Sequence, residues 1–223
     1  MKRSVELAIL LIILLTMGFT TKLEKQLTYL ALGDSYTIGE SVSQEQSFPY
    51  QVKSMLAEKG IEITPTVVAK TGWTTDELMK GIENATLLPK YNLVSLLIGV
   101  NNQYRGWSKD TYRKEFTELL NNAIVFAGGV KSHVVVVSIP DWGQTPFAEG
   151  RDRIQIGKEI DAFNAINKEV ADRFGISYIE ITQGSREVSK DATLVAGDGL
   201  HPSGKEYHKW AAKIAAYFSS LKL

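Results

Sequence analysis

The stretch YNLVSLLIGV, residues 91–100, is a nearly continuous apolar run. A strand with one wet face alternates apolar and polar side chains, so an unbroken run reads as a strand buried on both faces, in the centre of a parallel sheet. Amphipathic stretches flank it. Upstream, TTDELMKGIEN (residues 74–84) offers Thr74 or Thr75 as N-cap with acidic residues in the first turn. Downstream, KDTYRKEFTELLNNAIVFAGG has helical period and stops on Gly128 and Gly129.

The alternation extends in both directions. LTYLALG (27–33), IEITPTVVAK (61–70), HVVVVSIP (133–140) and ISYIEIT (176–182) are the other strand candidates, the second expected to be irregular around Pro65. PYQVKSMLAEKG (49–60), RDRIQIGKEIDAFNAINKEVADRFG (151–175) and KEYHKWAAKIAAYFSS (205–220) read as helices. Strands alternating with helices of this length predict a doubly wound α/β fold: a five-stranded parallel, flavodoxin-like sheet between two helical layers, in one domain over residues 25–223.

Composition narrows the function. The 25 basic and 25 acidic residues cancel and no basic patch stands out, which argues against nucleic acid as a partner. With no cysteine in the chain, disulfides, thiolate zinc sites and a cysteine nucleophile are excluded. Lys2 and Arg3 precede LAILLIILLTMGF (7–19), long enough for a signal-peptide core and short for a membrane span. Residues 1–24 are therefore expected to be a leader that exports the protein to the periplasm or beyond the cell. The alternative is an uncleaved anchor at the cell envelope, which would then be the protein's membrane contact.

In an open parallel sheet, ligands bind beyond the carboxyl ends of the strands. The loops at that edge hold Ser35 in GDSY, Gly72 in KTGWTT, Asn101 and Asn102 in GVNNQYRG, and Asp198 and His201 in GDGLHPSG. Serine needs a base to act as nucleophile, and histidine needs an orienting group. Of three histidines, His133 enters strand four at the far edge and His208 lies within the last helix, which leaves His201, three residues after Asp198. Gly72 and Asn101 can offer donors to an oxyanion. Trp73, Asn102, Tyr104, Trp107, Asp141, Trp142 and Phe147 fall in the same loops and are candidates to line a substrate groove.

In order and spacing these blocks resemble the GDSL, or SGNH, hydrolases, a family of serine esterases and lipases: ALGDSYT, Gly72 in KTGWTT, Asn101 in IGVNN, and DGLHP. The resemblance implies that Ser35 attacks an acyl carbonyl, His201 relays its proton and Asp198 orients the imidazole. It also implies an oxyanion hole from the N–H groups of Ser35 and Gly72 and the side chain of Asn101, with no metal or organic cofactor. Tyr36 stands where the family name has leucine, in a position that need not touch substrate. Asn102 replaces an acid often found there, which bears on the hydrogen bonding behind the site. Short-chain esters, lysophospholipids and acetylated glycans are all open as substrates, and export together with the loop aromatics favours acetyl groups on glycans.

Two other readings use the same residues. A non-catalytic domain could bind carbohydrate or lipid through the loop aromatics. A flavodoxin-like protein could hold a flavin phosphate in GDSYTIGES, although Asp34 and Glu40 would repel it and Asp198 and His201 would have no task.

Overall fold

The computed structural model describes residues 26–223; the expected leader and anchor lie outside them. Five strands, β1 (Leu27–Asp34), β2 (Ile63–Lys70), β3 (Leu93–Leu97), β4 (Val134–Val137) and β5 (Ser177–Ile179), pair in parallel in the order β2-β1-β3-β4-β5. Every residue of β3 and β4 is buried, as strands covered by helices on both faces require. The helices are α1 (Ser35–Ile38), α2 (Phe48–Ala57), α3 (Thr75–Asn84), α4 (Val100–Tyr104), α5 (Lys109–Phe126), α6 (Arg153–Phe174), α7 (Thr182–Ser185) and α8 (Gly204–Ser219). Helix α2 packs on α8, while α5 packs on α3 and α6. Among the described residues no helix is long and apolar enough to cross a membrane.

Three boundaries depart from the sequence reading. β2 runs without a break through Pro65, which pairs with Tyr29. β2 is an edge strand, where a residue without an N–H can leave its outer side to solvent. β3 begins at Leu93, because the Tyr91 N–H is taken by the Phe126 carbonyl at 2.7 Å instead of the sheet. β5 holds three residues, not seven. The Ser138 hydroxyl accepts from the N–H groups of Ile181 and Thr182 at 2.8 and 3.2 Å, and the chain turns into α7.

Successive chain connections leave β1 toward opposite sides of the sheet, so the crevice between the carboxyl ends of β1 and β3 is the topological switch point. Ser35 follows β1 and Asn101 follows β3. The turn from β3 into α4 passes through Gly99 at φ +129°, where an added Cβ would lie 2.3 Å from the Tyr112 hydroxyl. Only glycine fits there, and this tight turn delivers Asn101 to the crevice.

Candidate active site

Asp34 ends β1 and caps α1: its carboxylate accepts from the Tyr36 N–H at 3.0 Å, so the chain turns sharply and Ser35 becomes the first helical residue. Asp34 has no exposed surface. Burial pushes its carboxyl up to about 7, against the opposing effect of hydrogen bonds from backbone N–H groups and Asn101.

On the far side of the crevice the Asp198 carboxylate organises its own loop. One oxygen accepts from the N–H groups of Leu200 and His201, both at 3.0 Å. The other lies 2.5 Å from His201 Nδ1 and accepts from the Ser41 hydroxyl at 2.7 Å. Partial burial would raise the pKa of this carboxyl, but the hydrogen bonds from His201, Leu200 and Ser41 outweigh it and hold the group well below the usual carboxylate range. An ionised carboxylate only accepts, so Nδ1 must carry the imidazole proton. In the neutral imidazole this places the lone pair on Nε2, where a general base needs it.

Ser35, Asn101 and His201 line one cleft of about 150 Å³ with the aromatic residues Tyr36, Tyr104, Trp142 and Phe147. Ser35 and His201 are themselves buried among these walls. The Tyr36 ring lies 5.1 Å from that of His201, so Tyr36 borders the imidazole and the cleft.

The Asn101 amide donates to the Trp73 carbonyl at 3.0 Å and, at a longer 3.4 Å, to Asp34. The first bond ties α4 to the loop after β2, where Gly72 turns at φ +82° and its carbonyl accepts from Arg105 at 2.6 Å. Asn101 and the Gly72 loop are thus neighbours, although 29 residues separate them in the chain (101 − 72).

Four residues expected to line the groove are not among the walls of this cleft. The Trp73 ring packs over Gly81 of α3, where an added Cβ would come within 2.2 Å of it. Asn102 is fully buried and holds Thr75, accepting from its N–H at 3.1 Å and donating to its hydroxyl at 2.7 Å. Trp107 borders a separate groove beside Gln103, Lys109 and Glu159. Asp141 is buried, accepting from the Gly143 N–H at 2.9 Å and from Arg186 at 2.8 Å. Trp73, Asn102 and Asp141 carry turn or helix-packing duties that their loop positions did not reveal.

Two residues that the sequence reading left out belong to the site. Ser41 is the contact to Asp198 described above. Gln103 accepts from the Trp142 indole at 2.7 Å and donates to Glu159 at the same distance, which fixes the indole in the cleft wall. Nothing in the sequence around this glutamine signals such a role. His133 lies in a 3-10 turn before β4, and His208 of α8 contacts Gln51; neither borders the cleft. Among the described residues no cluster of three or more His, Asp or Glu could hold a metal ion.

Comparison with solved structures finds the same fold in several esterases and lipases. A lipase/acylhydrolase from Enterococcus faecalis is 22% identical, with a TM-score of 0.65 over 87% of this chain and 96% of its own. A lipase from a goat rumen metagenome is 20% identical, with a TM-score of 0.68 over 86% and 97%. A mutant of an acetyl-xylooligosaccharide esterase from Geobacillus Stearmophilus is 18% identical, with a TM-score of 0.65 over 88% and 96%. A comparison with curated protein sequences finds no match. A family model, that of the GDSL-like lipase/acylhydrolase family, matches residues 31–209, from within β1 through His201 into α8. That match spans most of the chain, and the protein belongs to this family of ester-bond hydrolases.

Proposed function

We propose that the protein is an exported serine esterase in which Ser35, His201 and Asp198 form the catalytic triad. One observation carries this reading: a buried histidine, held through Nδ1 by an ionised carboxylate, shares a cleft with a serine at the switch point of the sheet. His201 Nε2 takes the Ser35 hydroxyl proton as Oγ bonds to the acyl carbon, and the carbonyl electron pair moves onto oxygen. Collapse of that intermediate breaks the bond to the alcohol oxygen, which receives the proton from Nε2. Water then repeats the sequence on the acyl-enzyme, releasing the acid and restoring Ser35.

The N–H groups of Ser35 and Gly72 and the amide of Asn101 are the donors for the oxyanion. The long Asn101 contact to Asp34 is the one to be exchanged for it, since catalytic hydrogen bonds often tighten only on the reaction path. The cleft is small and walled by aromatic rings, which favours a short acyl group such as acetyl; acetylated glycans are the substrates that best combine this with the export signal in residues 1–24.

Treatment with a fluorophosphonate, followed by peptide mapping, tests the reading. The expected result is one adduct, on Ser35, absent from a His201→Ala variant and accompanied by loss of ester hydrolysis. Wild-type turnover by a folded Ser35→Ala variant would overturn the assignment.

A further inference from the structure

Arg151 stands beside the cleft, against three of the aromatic rings that wall it. Its guanidinium carbon lies 5.3 Å from the ring centre of Tyr104, 5.4 Å from that of Trp142 and 5.6 Å from that of Phe147. These are the rings that line the cleft with Ser35 and His201. They also contact one another, with centroids 5.3 to 6.4 Å apart. Trp142 among them is pinned by Gln103.

Among the described residues the charge on Arg151 has no carboxylate partner, unlike that of two arginines nearby. Arg105 and Arg186 face carboxylates, Glu77 at 3.3 Å and Asp141 at 2.8 Å. Among the described residues no carboxylate lies within ion-pair distance of Arg151. It is solvent-exposed, and its side chain has one hydrogen bond, to the Tyr104 hydroxyl at 3.2 Å. Ring faces attract a guanidinium without neutralising it and leave its outward N–H donors free. An arginine held this way loses little further entropy on meeting an oxyanion, and its planar fork matches a carboxylate or a phosphate.

From this placement we infer that Arg151 is a specificity-determining residue that selects esters whose alcohol part carries a carboxylate or phosphate group. The inference rests on the esterase reading and deepens it. A cleft of about 150 Å³ takes up a short acyl group, so the alcohol part projects to the rim where Arg151 waits. An acidic acetylated glycan and an acylated glycerol phosphate share this chemistry.

The test compares matched esters on the wild type, Arg151→Gln and Arg151→Lys. One pair is 4-carboxyphenyl acetate and its neutral methyl ester; the other is acetylglycerol phosphate and monoacetylglycerol. Taking the ratio of kcat/KM, anionic over neutral, cancels intrinsic reactivity when variants are compared. The ratio is expected to fall about tenfold in Arg151→Gln for at least one pair, and less in Arg151→Lys, as loss of a bidentate charge-assisted contact predicts. Raising salt from about 0.05 to about 0.5 M should lower the wild-type ratio and leave that of Arg151→Gln unchanged. The pair that responds identifies carboxylate or phosphate as the preferred anion. Ratios that stay unmoved for both pairs in a folded Arg151→Gln variant would overturn the inference while leaving the esterase reading intact. A wild type that turns over none of the four esters would overturn the esterase reading, and the inference with it.

Discussion

Ser41 shows how much a single side chain can depend on tertiary contact. Among the described residues it is the one non-glycine at positive φ, +65°, and its hydroxyl reaches Asp198 across 157 positions of chain. A backbone conformation that L-residues rarely adopt persists when the surrounding contacts over-determine it. Here the hydroxyl helps hold the Asp198 carboxylate below its usual range. Ser41→Ala is expected to lower kcat/KM about threefold to tenfold, since a hydrogen bond to a charge at a partly exposed site is lost. Ser41→Gly relaxes the backbone yet also lacks the hydroxyl, so the same loss of kcat/KM in both variants assigns the effect to the hydrogen bond, and a loss in Ala alone assigns it to strain. Ser35, Asp198 and His201 could be read from the sequence because each lies at the end of a strand or in the last loop; Ser41 lies in the same loop as Ser35 with nothing to mark it.

Between elements, the loops at the carboxyl edge are fastened to one another by buried polar side chains. Asn102 ties α4 to the first turn of α3 through both hydrogen bonds to Thr75. Removing it leaves the Thr75 N–H buried without its side-chain acceptor, so Asn102→Ala is expected to lose about 1–3 kcal/mol of stability in urea denaturation. KM for a small neutral ester should stay close to that of the wild type, because Asn102 does not border the cleft. A large rise in KM with unchanged stability would return Asn102 to the substrate groove. Strand and helix existence was legible from periodicity, because burial on one or both faces imprints a repeat on the sequence. Strand ends were not: β5 stops where Ser138, a residue from another strand's end, takes over the backbone N–H groups.

For the molecule as a whole, Asp34 couples stability to pH. Its carboxyl is pushed up to about 7 by burial, above the value of an unfolded aspartate, so between about pH 4 and 7 the folded state binds the proton more tightly than the unfolded state. Its contribution is therefore stabilising at acid pH and is lost as pH rises through the folded value. Asp198 acts in the opposite sense: its lowered pKa stabilises the fold above the unfolded value, and that stability is lost as pH falls toward the folded one. Asp34→Asn retains an oxygen to accept from the Tyr36 N–H and removes the titration. Measured by urea denaturation, the stability of the variant relative to the wild type should rise by roughly 1–3 kcal/mol between pH 5 and pH 7.5. A difference independent of pH would show that Asp34 keeps an ordinary carboxylate pKa.

By itself the sequence determined the fold class, the order of strands and helices along the chain, and the positions of Ser35, Asn101, Asp198 and His201 at one edge. Backbone periodicity and the parallel sheet's own geometry leave those features little freedom. Tertiary structure alone decided which aromatic rings face the cleft, which polar groups brace it, and that Arg151 sits against the rings of Tyr104, Trp142 and Phe147. Those outcomes depend on side-chain directions and on contacts between residues distant in the chain. Loop position brings a residue near the site, but only packing determines which way it points.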